Sequence, residues 1–198
     1  MDGYQRRTER KKEMIKQAAL NLFSSYGADK VSVAEISKKA NVSPVTIYNY
    51  FGSKDELLRA VLVDYMDKSF EEYRELIYSD RPFSEKIEQV IFRKTETAKE
   101  LSPEFLQSLT DPGIQALFEE YTNEKSMPLA MELIDQGKKQ GYINPKLTTE
   151  AILFYIHIFT ETTQKKEGLG LLSKDALIDL VELFFYGLMG SAQLQREQ

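Results

Sequence analysis

The chain has 198 residues, 42% of them apolar, and no cysteine, which excludes disulfides and thiolate metal sites. A single histidine argues against a histidine-rich zinc centre, and no apolar run approaches the length of a membrane span. The net charge is −5, yet residues 1–50 hold nine Lys or Arg against five acids, so this first quarter is +4 and the remainder −9. A basic end on an acidic chain suits a partner rich in phosphate, where displaced counterions favour association, although solubility alone can produce the same asymmetry.

In chain order, Arg6, Arg7, Arg10, Lys11 and Lys12 come first and read as phosphate contacts, as an arm reaching a minor groove, or as an ordinary basic terminus. Ile15, Ala18, Ala19, Leu22 and Phe23 then recur at helical spacing. Ser32 followed by Glu35 is a capping box, predicting a helix over 33–40 that stops at Asn41. Ser43 and Pro44 fit an N-cap and first helical position, because proline lacks only an N–H that a helix start leaves unpaired. The helix they open runs to about Tyr50 and is broken by Gly52, after which Ser53 and Glu56 form a second capping box. Val33, Ile36, Ala40, Val42 and Ile47 complete a small three-helix core. That burial leaves Ser43, Val45, Thr46, Tyr48 and Asn49 at the start and outer side of the third helix, a set suited to base edges and phosphates. Tyr50 and Lys54 flank it.

Downstream, Leu57, Leu58, Val61, Leu62 and Tyr65 predict a linking helix toward Ser79, with a turn at Asp80, Arg81 and Pro82. Further helices are predicted over about 82–100, 104–108 and 114–140, the last bent near Met127 and Pro128 and ended by Gly141. An extended segment over 143–147 precedes a helix capped by Thr148 or Thr149 and reaching about Gln164. A turn at Gly168 and Gly170 leads to a final helix capped by Ser173.

No strand-like alternation competes, so the class is all-α with about nine helices. The organisation is a head over 1–52 and a C-terminal domain over 53–198, joined by the helix over 53–79. The last two helices are apolar on more than one stripe, through Ile152, Tyr155, Ile156 and Phe159 on one and Leu177, Leu180, Val181, Phe184, Phe185 and Leu188 on the other. Such helices bury two faces, either in a four-helix interface of a symmetric homodimer or deep within one monomeric core. Phe92, Phe105, Leu117, Phe118, Tyr121, Met127, Met131, Tyr155, His157 and Phe159 are candidates to line a small-molecule cavity, and equally candidates for ordinary core. If they line one, the ligand is largely apolar or aromatic with one or two polar groups.

Catalysis finds no support: there is no Cys nucleophile, no metal-ligand cluster, no glycine-rich phosphate loop, and Glu71/Glu72 and Glu119/Glu120 are adjacent along helices rather than opposed. No cofactor, metal or membrane partner is expected. A polar, basic N-terminus without a following apolar core gives no secretion signal, and a cytoplasmic location is expected.

The stretch AALNLFSSYGADKVSVAEISKKANVSPVTIYNYFGSKDELL, within Ala18–Leu62, closely resembles the helix-turn-helix signature of the TetR family of bacterial transcriptional regulators. The resemblance implies a recognition helix over 44–50. Tyr48, Tyr50 and Lys54 match positions that commonly approach phosphates, and Val45, Thr46 and Asn49 match positions that vary with operator sequence. It also implies an all-α dimer on palindromic double-stranded DNA, usually acting as a repressor released by a small molecule. Activation, or control by a protein partner without a ligand, remains the alternative. Beyond about Leu62 the resemblance is architectural, so it names no ligand.

Overall fold

The computed structural model describes residues 3–87, 89–90 and 102–164, together with Leu183 and Gly187. Its elements are α1 Gly3–Tyr26, α2 Val33–Ala40, α3 Pro44–Phe51, α4 Lys54–Ile77, α5 Pro103–Ser108, α6 Pro112–Tyr121, α7 Met127–Lys139 and α8 Thr149–Gln164. Residues 83–87 and 89–90 are helical, and the described residues contain no strand. The fold is all-α, with an N-terminal helix-turn-helix bundle and a larger C-terminal helical domain.

The chain divides into two compact units. The first joins Met1–Leu76 to Val90–Lys125, and the second joins Ile77–Gln89 to Ser126–Gln198.

In the first unit the apolar stripes predicted for α1 to α3 converge. Ile15, Ala19, Phe23, Ile36 and Ile47 are fully buried, and α4 adds Leu57, Leu58, Val61 and Leu62 to the same cluster. Burying each large side chain contributes about 1.5–3 kcal/mol, which short helices need because eight residues do not hold a helix alone. Local chemistry sets the boundaries. The Ser32 hydroxyl accepts from the Glu35 amide, and the Glu35 carboxylate accepts from the Ser32 amide at 2.8 Å and hydroxyl at 2.7 Å. Those two bonds, hydroxyl first, hold Glu35 below the usual carboxylate range. Asn41 ends α2 in the left-handed region, at φ 53°.

The bend expected near Met127 and Pro128 takes a specific form: α6 and α7 are separated by a π-helical turn, Thr122–Ser126. Pro128 has no N–H for the carbonyl one turn back, and the widened turn just before it absorbs that break. Tyr121, just before this turn, and Lys125, within it, converge on Asp67 of α4. The Tyr121 hydroxyl donates to Asp67 Oδ1 at 2.9 Å, and the Lys125 ammonium bonds the same oxygen while lying 4.7 Å from the Tyr121 ring centroid.

In the second unit, Phe83 stacks on Tyr142 with centroids 5.1 Å apart, and Gly137 lets Phe83 and Ile143 approach α7 where a β-carbon would lie 2.6 Å from the Phe83 ring. Lys86 is buried and donates to the Ile77 carbonyl at 2.7 Å, capping the C-terminal end of α4. The segment over 143–147 is a turn and not extended. The Leu147 amide donates to the Asn144 carbonyl at 3.1 Å and the Lys146 amide to Asn144 Oδ1 at 3.0 Å, an Asx turn around Pro145. Thr148 caps α8 through the Ala151 amide.

Candidate nucleic-acid interface

α3 is positioned by a cap, a proline and one anchor. Ser43 has extended backbone, and its Oγ accepts from the Thr46 amide at 3.2 Å; Pro44 occupies the first turn. Ile47, 0% exposed, is the one residue of α3 that is fully sunk in the core, so it fixes the rotation of the helix. Val45 at 65% exposed, Tyr48 at 51% exposed, and Asn49 are thereby turned outward. Thr46 is half-buried, with Oγ1 2.9 Å from Ser43 Oγ, so the two hydroxyls at the helix start are held as a pair. Gly52 closes α3 through its amide to the Tyr48 carbonyl at 2.8 Å, with φ +78°.

The remaining predicted residues sort differently. Ser32 spends its hydroxyl on the α2 capping box. Tyr50 is half-buried and its ring packs against the head core, so it is partly structural. Lys54 does not stand free beside the helix. Its ammonium donates to the carbonyls of Ala28 at 2.9 Å and Val31 at 3.2 Å, in the turn between α1 and α2. Sequence spacing gave no sign of this, because the acceptors are main-chain oxygens more than 20 residues away. Arg6, Arg7 and Arg10 are exposed, and they lie on α1 itself, which begins at Gly3. The first buried residue of α1 is Ile15, so about three basic turns precede the core, roughly 18 Å of helix at 1.5 Å per residue.

Residues 15–61 match the family model of bacterial regulatory proteins, tetR family. Over that segment the chain resembles the TetR family. It is 25% identical to YhgD, an uncharacterized HTH-type transcriptional regulator of Bacillus subtilis, over 88% of this chain and 94% of that one. Among solved structures it is similar to the fatty acid degradation regulator FadR from Bacillus halodurans, with a TM-score of 0.66 and 21% identity over 89% of this chain and 98% of that one. It is also similar to FadR from Bacillus subtilis in complex with stearoyl-CoA, with a TM-score of 0.64 and 20% identity over 87% and 95% of the two chains. These likenesses establish the fold alone.

The candidate cavity residues are shared between the two units. Phe105 is buried in the head core, where Leu117 and Phe118 also pack, and Tyr121 is committed to Asp67. Met127, Met131 and Tyr155 belong to the second unit, Met131 being exposed. Phe92 and the side chains of His157 and Phe159 lie outside the described residues. A cavity of about 270 Å³ does open in the first unit, but its walls are mostly polar: Ala28, Asp29, Lys54, Asp55, Leu58, Arg59, Ser108, Asp111 and Ile114.

On α8, Ile152 is 1% exposed. Its neighbours Tyr155 and Ile156 are half-buried, and the outward apolar positions are Phe154 and Ile158. Leu177, Leu180, Val181, Phe184, Phe185 and Leu188 lie outside the described residues. Gly187, one helical residue of the last segment, brings its backbone so close to Tyr155 that a β-carbon there would lie 2.6 Å from the Tyr155 hydroxyl.

Proposed function

We propose that this protein is a repressor that binds a palindromic operator as a homodimer and is released by a small, largely apolar ligand. The observation that carries the DNA half of this reading is α3: one side sunk in the core through Ile47, the other presenting Val45, Tyr48 and Asn49 to solvent. In a two-fold dimer, two such helices enter successive major grooves roughly 34 Å apart, each reading one half-site. Val45 offers a methyl surface for thymine and Asn49 an amide for adenine. Ser43, Thr46 and Tyr48 hold phosphates, together with Arg6, Arg7 and Arg10 along the first turns of α1.

The dimer reading draws support from Phe154 and Ile158, which stand one helical turn apart on α8 and are 64% and 47% exposed. The ligand reading draws on composition and on FadR from Bacillus subtilis, solved with stearoyl-CoA, which makes long-chain acyl-CoA the first effector to test. Release requires the ligand to bind the DNA-incompetent conformation better than the competent one.

The test is selection of bound sequences from a random duplex library at two salt concentrations. An enriched inverted repeat supports dimeric, sequence-specific binding, and the enriched duplex then reports release by stearoyl-CoA. No enrichment at either salt refutes the operator reading. A bound duplex unaffected by acyl-CoA refutes that ligand alone.

A further inference from the structure

We propose that the ion pair between Lys16 of α1 and Asp64 of α4 is a positioning contact for DNA recognition: it holds the angle at which α4 leaves the head, and so the separation of the two recognition helices in a dimer. α4 packs on the head over a short base. Leu57, Leu58, Val61 and Leu62 share one buried cluster with Ile15, Ala18 and Ala19 of α1, and from 63 to 75 no residue of α4 is buried. The base spans roughly 7.5 Å of helix, and α4 runs on from it for roughly 22 Å more to Ile77, at 1.5 Å per residue. A tilt at the base is therefore magnified about threefold at the far end.

Lys16 and Asp64 meet just past that base. The Lys16 ammonium bonds Asp64 Oδ2, and Glu13 Oε2 at 3.1 Å, with a side chain only 20% exposed. Glu13 stands three residues earlier on the same helix, so it steadies Lys16 without constraining α4; Asp64 alone carries the contact across. Apolar burial is non-directional and tolerates some tilt between the two helices. A paired ammonium and carboxylate add a distance constraint beyond the end of the base. One turn further along α4, Asp67 is already bound to Tyr121 and Lys125, so the next carboxylate does not compete for Lys16.

Because the contact acts through the spacing of half-sites, it rests on the reading of a dimer on a palindromic operator, and the experiment separates the two. Full-length Lys16→Met, Asp64→Asn and the double variant are compared with the parent. The duplexes are the enriched inverted repeat, the same repeat with one base pair added or removed between half-sites (a shift of about 3.4 Å), a single half-site and a scrambled duplex. Binding is followed by fluorescence anisotropy between about 50 and 200 mM salt, active fractions come from stoichiometric titration, and Tm is recorded for each. Each single variant is expected to narrow the parent's preference for the native spacing by about threefold, the scale of a partly exposed ion pair. The double variant narrows it no further than either single one, because the two side chains act as a unit. Half-site and scrambled affinities, and the slope of log K against log salt, stay those of the parent.

A phosphate contact by Lys16 predicts another pattern: Lys16→Met weakens every duplex alike with the slope shallower by about 0.9, and Asp64→Asn is silent; that result overturns the proposal. So do additive losses in the double variant, and so does a lowered Tm with unchanged spacing preference per active molecule, which makes the pair merely structural. A parent that binds the single half-site as tightly as the inverted repeat refutes the dimeric operator reading, and the positioning contact falls with it. Variants that keep the parent's full preference for the native spacing refute the positioning contact alone.

Discussion

Val45 and Ile47 lie two residues apart on one eight-residue helix, and substituting each by alanine separates folding from reading. Ile47 is 0% exposed and surrounded by the head core, so Ile47→Ala removes buried carbons and leaves a cavity, costing about 2–5 kcal/mol. Against a total stability of about 5–15 kcal/mol for a typical domain, that is a large share. α3 has no second fully buried residue to compensate. Ile47→Val, which removes one methylene, is expected to cost about 0.5–1.5 kcal/mol. Val45 is 65% exposed, so Val45→Ala is expected to stay within about 0.5 kcal/mol of the parent while changing selectivity at one operator position. Urea unfolding followed by circular dichroism gives the first pair of numbers, and anisotropy on duplexes substituted one base pair at a time gives the second. If Val45→Ala destabilises as much as Ile47→Ala, the assigned rotation of α3 is wrong. If it leaves selectivity untouched, its base contact is wrong.

Three further outcomes follow from the same geometry. Gly27 has φ +85°, and a β-carbon there would lie 2.8 Å from Glu104 Cβ and 3.1 Å from its carbonyl carbon, so Gly27→Ala combines dihedral strain of about 1–3 kcal/mol with displacement of α5 and lowers the thermal midpoint. The Lys125 ammonium first, then the Tyr121 hydroxyl, hold the Asp67 carboxyl below its ordinary value. Its stabilisation is therefore full above the unfolded carboxylate's pKa of about 3.9 and is lost as pH falls through the lower folded value. Asp67→Asn is thus less stable than the parent at neutral pH, by no more than about 1 kcal/mol because both partners are nearly half exposed, and the gap closes in acid; a gap constant with pH contradicts the ion pair. Phe154→Glu with Ile158→Glu places charges on the outward face of α8, and analytical ultracentrifugation then shows monomers if that face is the dimer contact. An unaltered dimer moves the interface elsewhere.

The sequence determined the elements whose causes are local. A capping box at Ser32, Pro44 after Ser43, glycines at 52 and 141, and apolar residues three and four apart each act within one or two turns, so α2, α3 and the end of α7 are legible in the sequence. The outward set Val45, Tyr48 and Asn49 followed from the same periodicity, since knowing that Ile47 is buried fixes the rest of an eight-residue helix. Tertiary structure decided what depends on distant partners. Lys54 looked like a free cation because its acceptors are backbone carbonyls, which every residue carries and no spacing announces. Ile152 and Phe154 are both apolar on one helix, and periodicity without neighbours does not say which stripe meets the body and which meets solvent. Proline at 128 announced a break, but only the ladder of hydrogen bonds around it settled that the chain answers with a π turn beside Asp67, Tyr121 and Lys125.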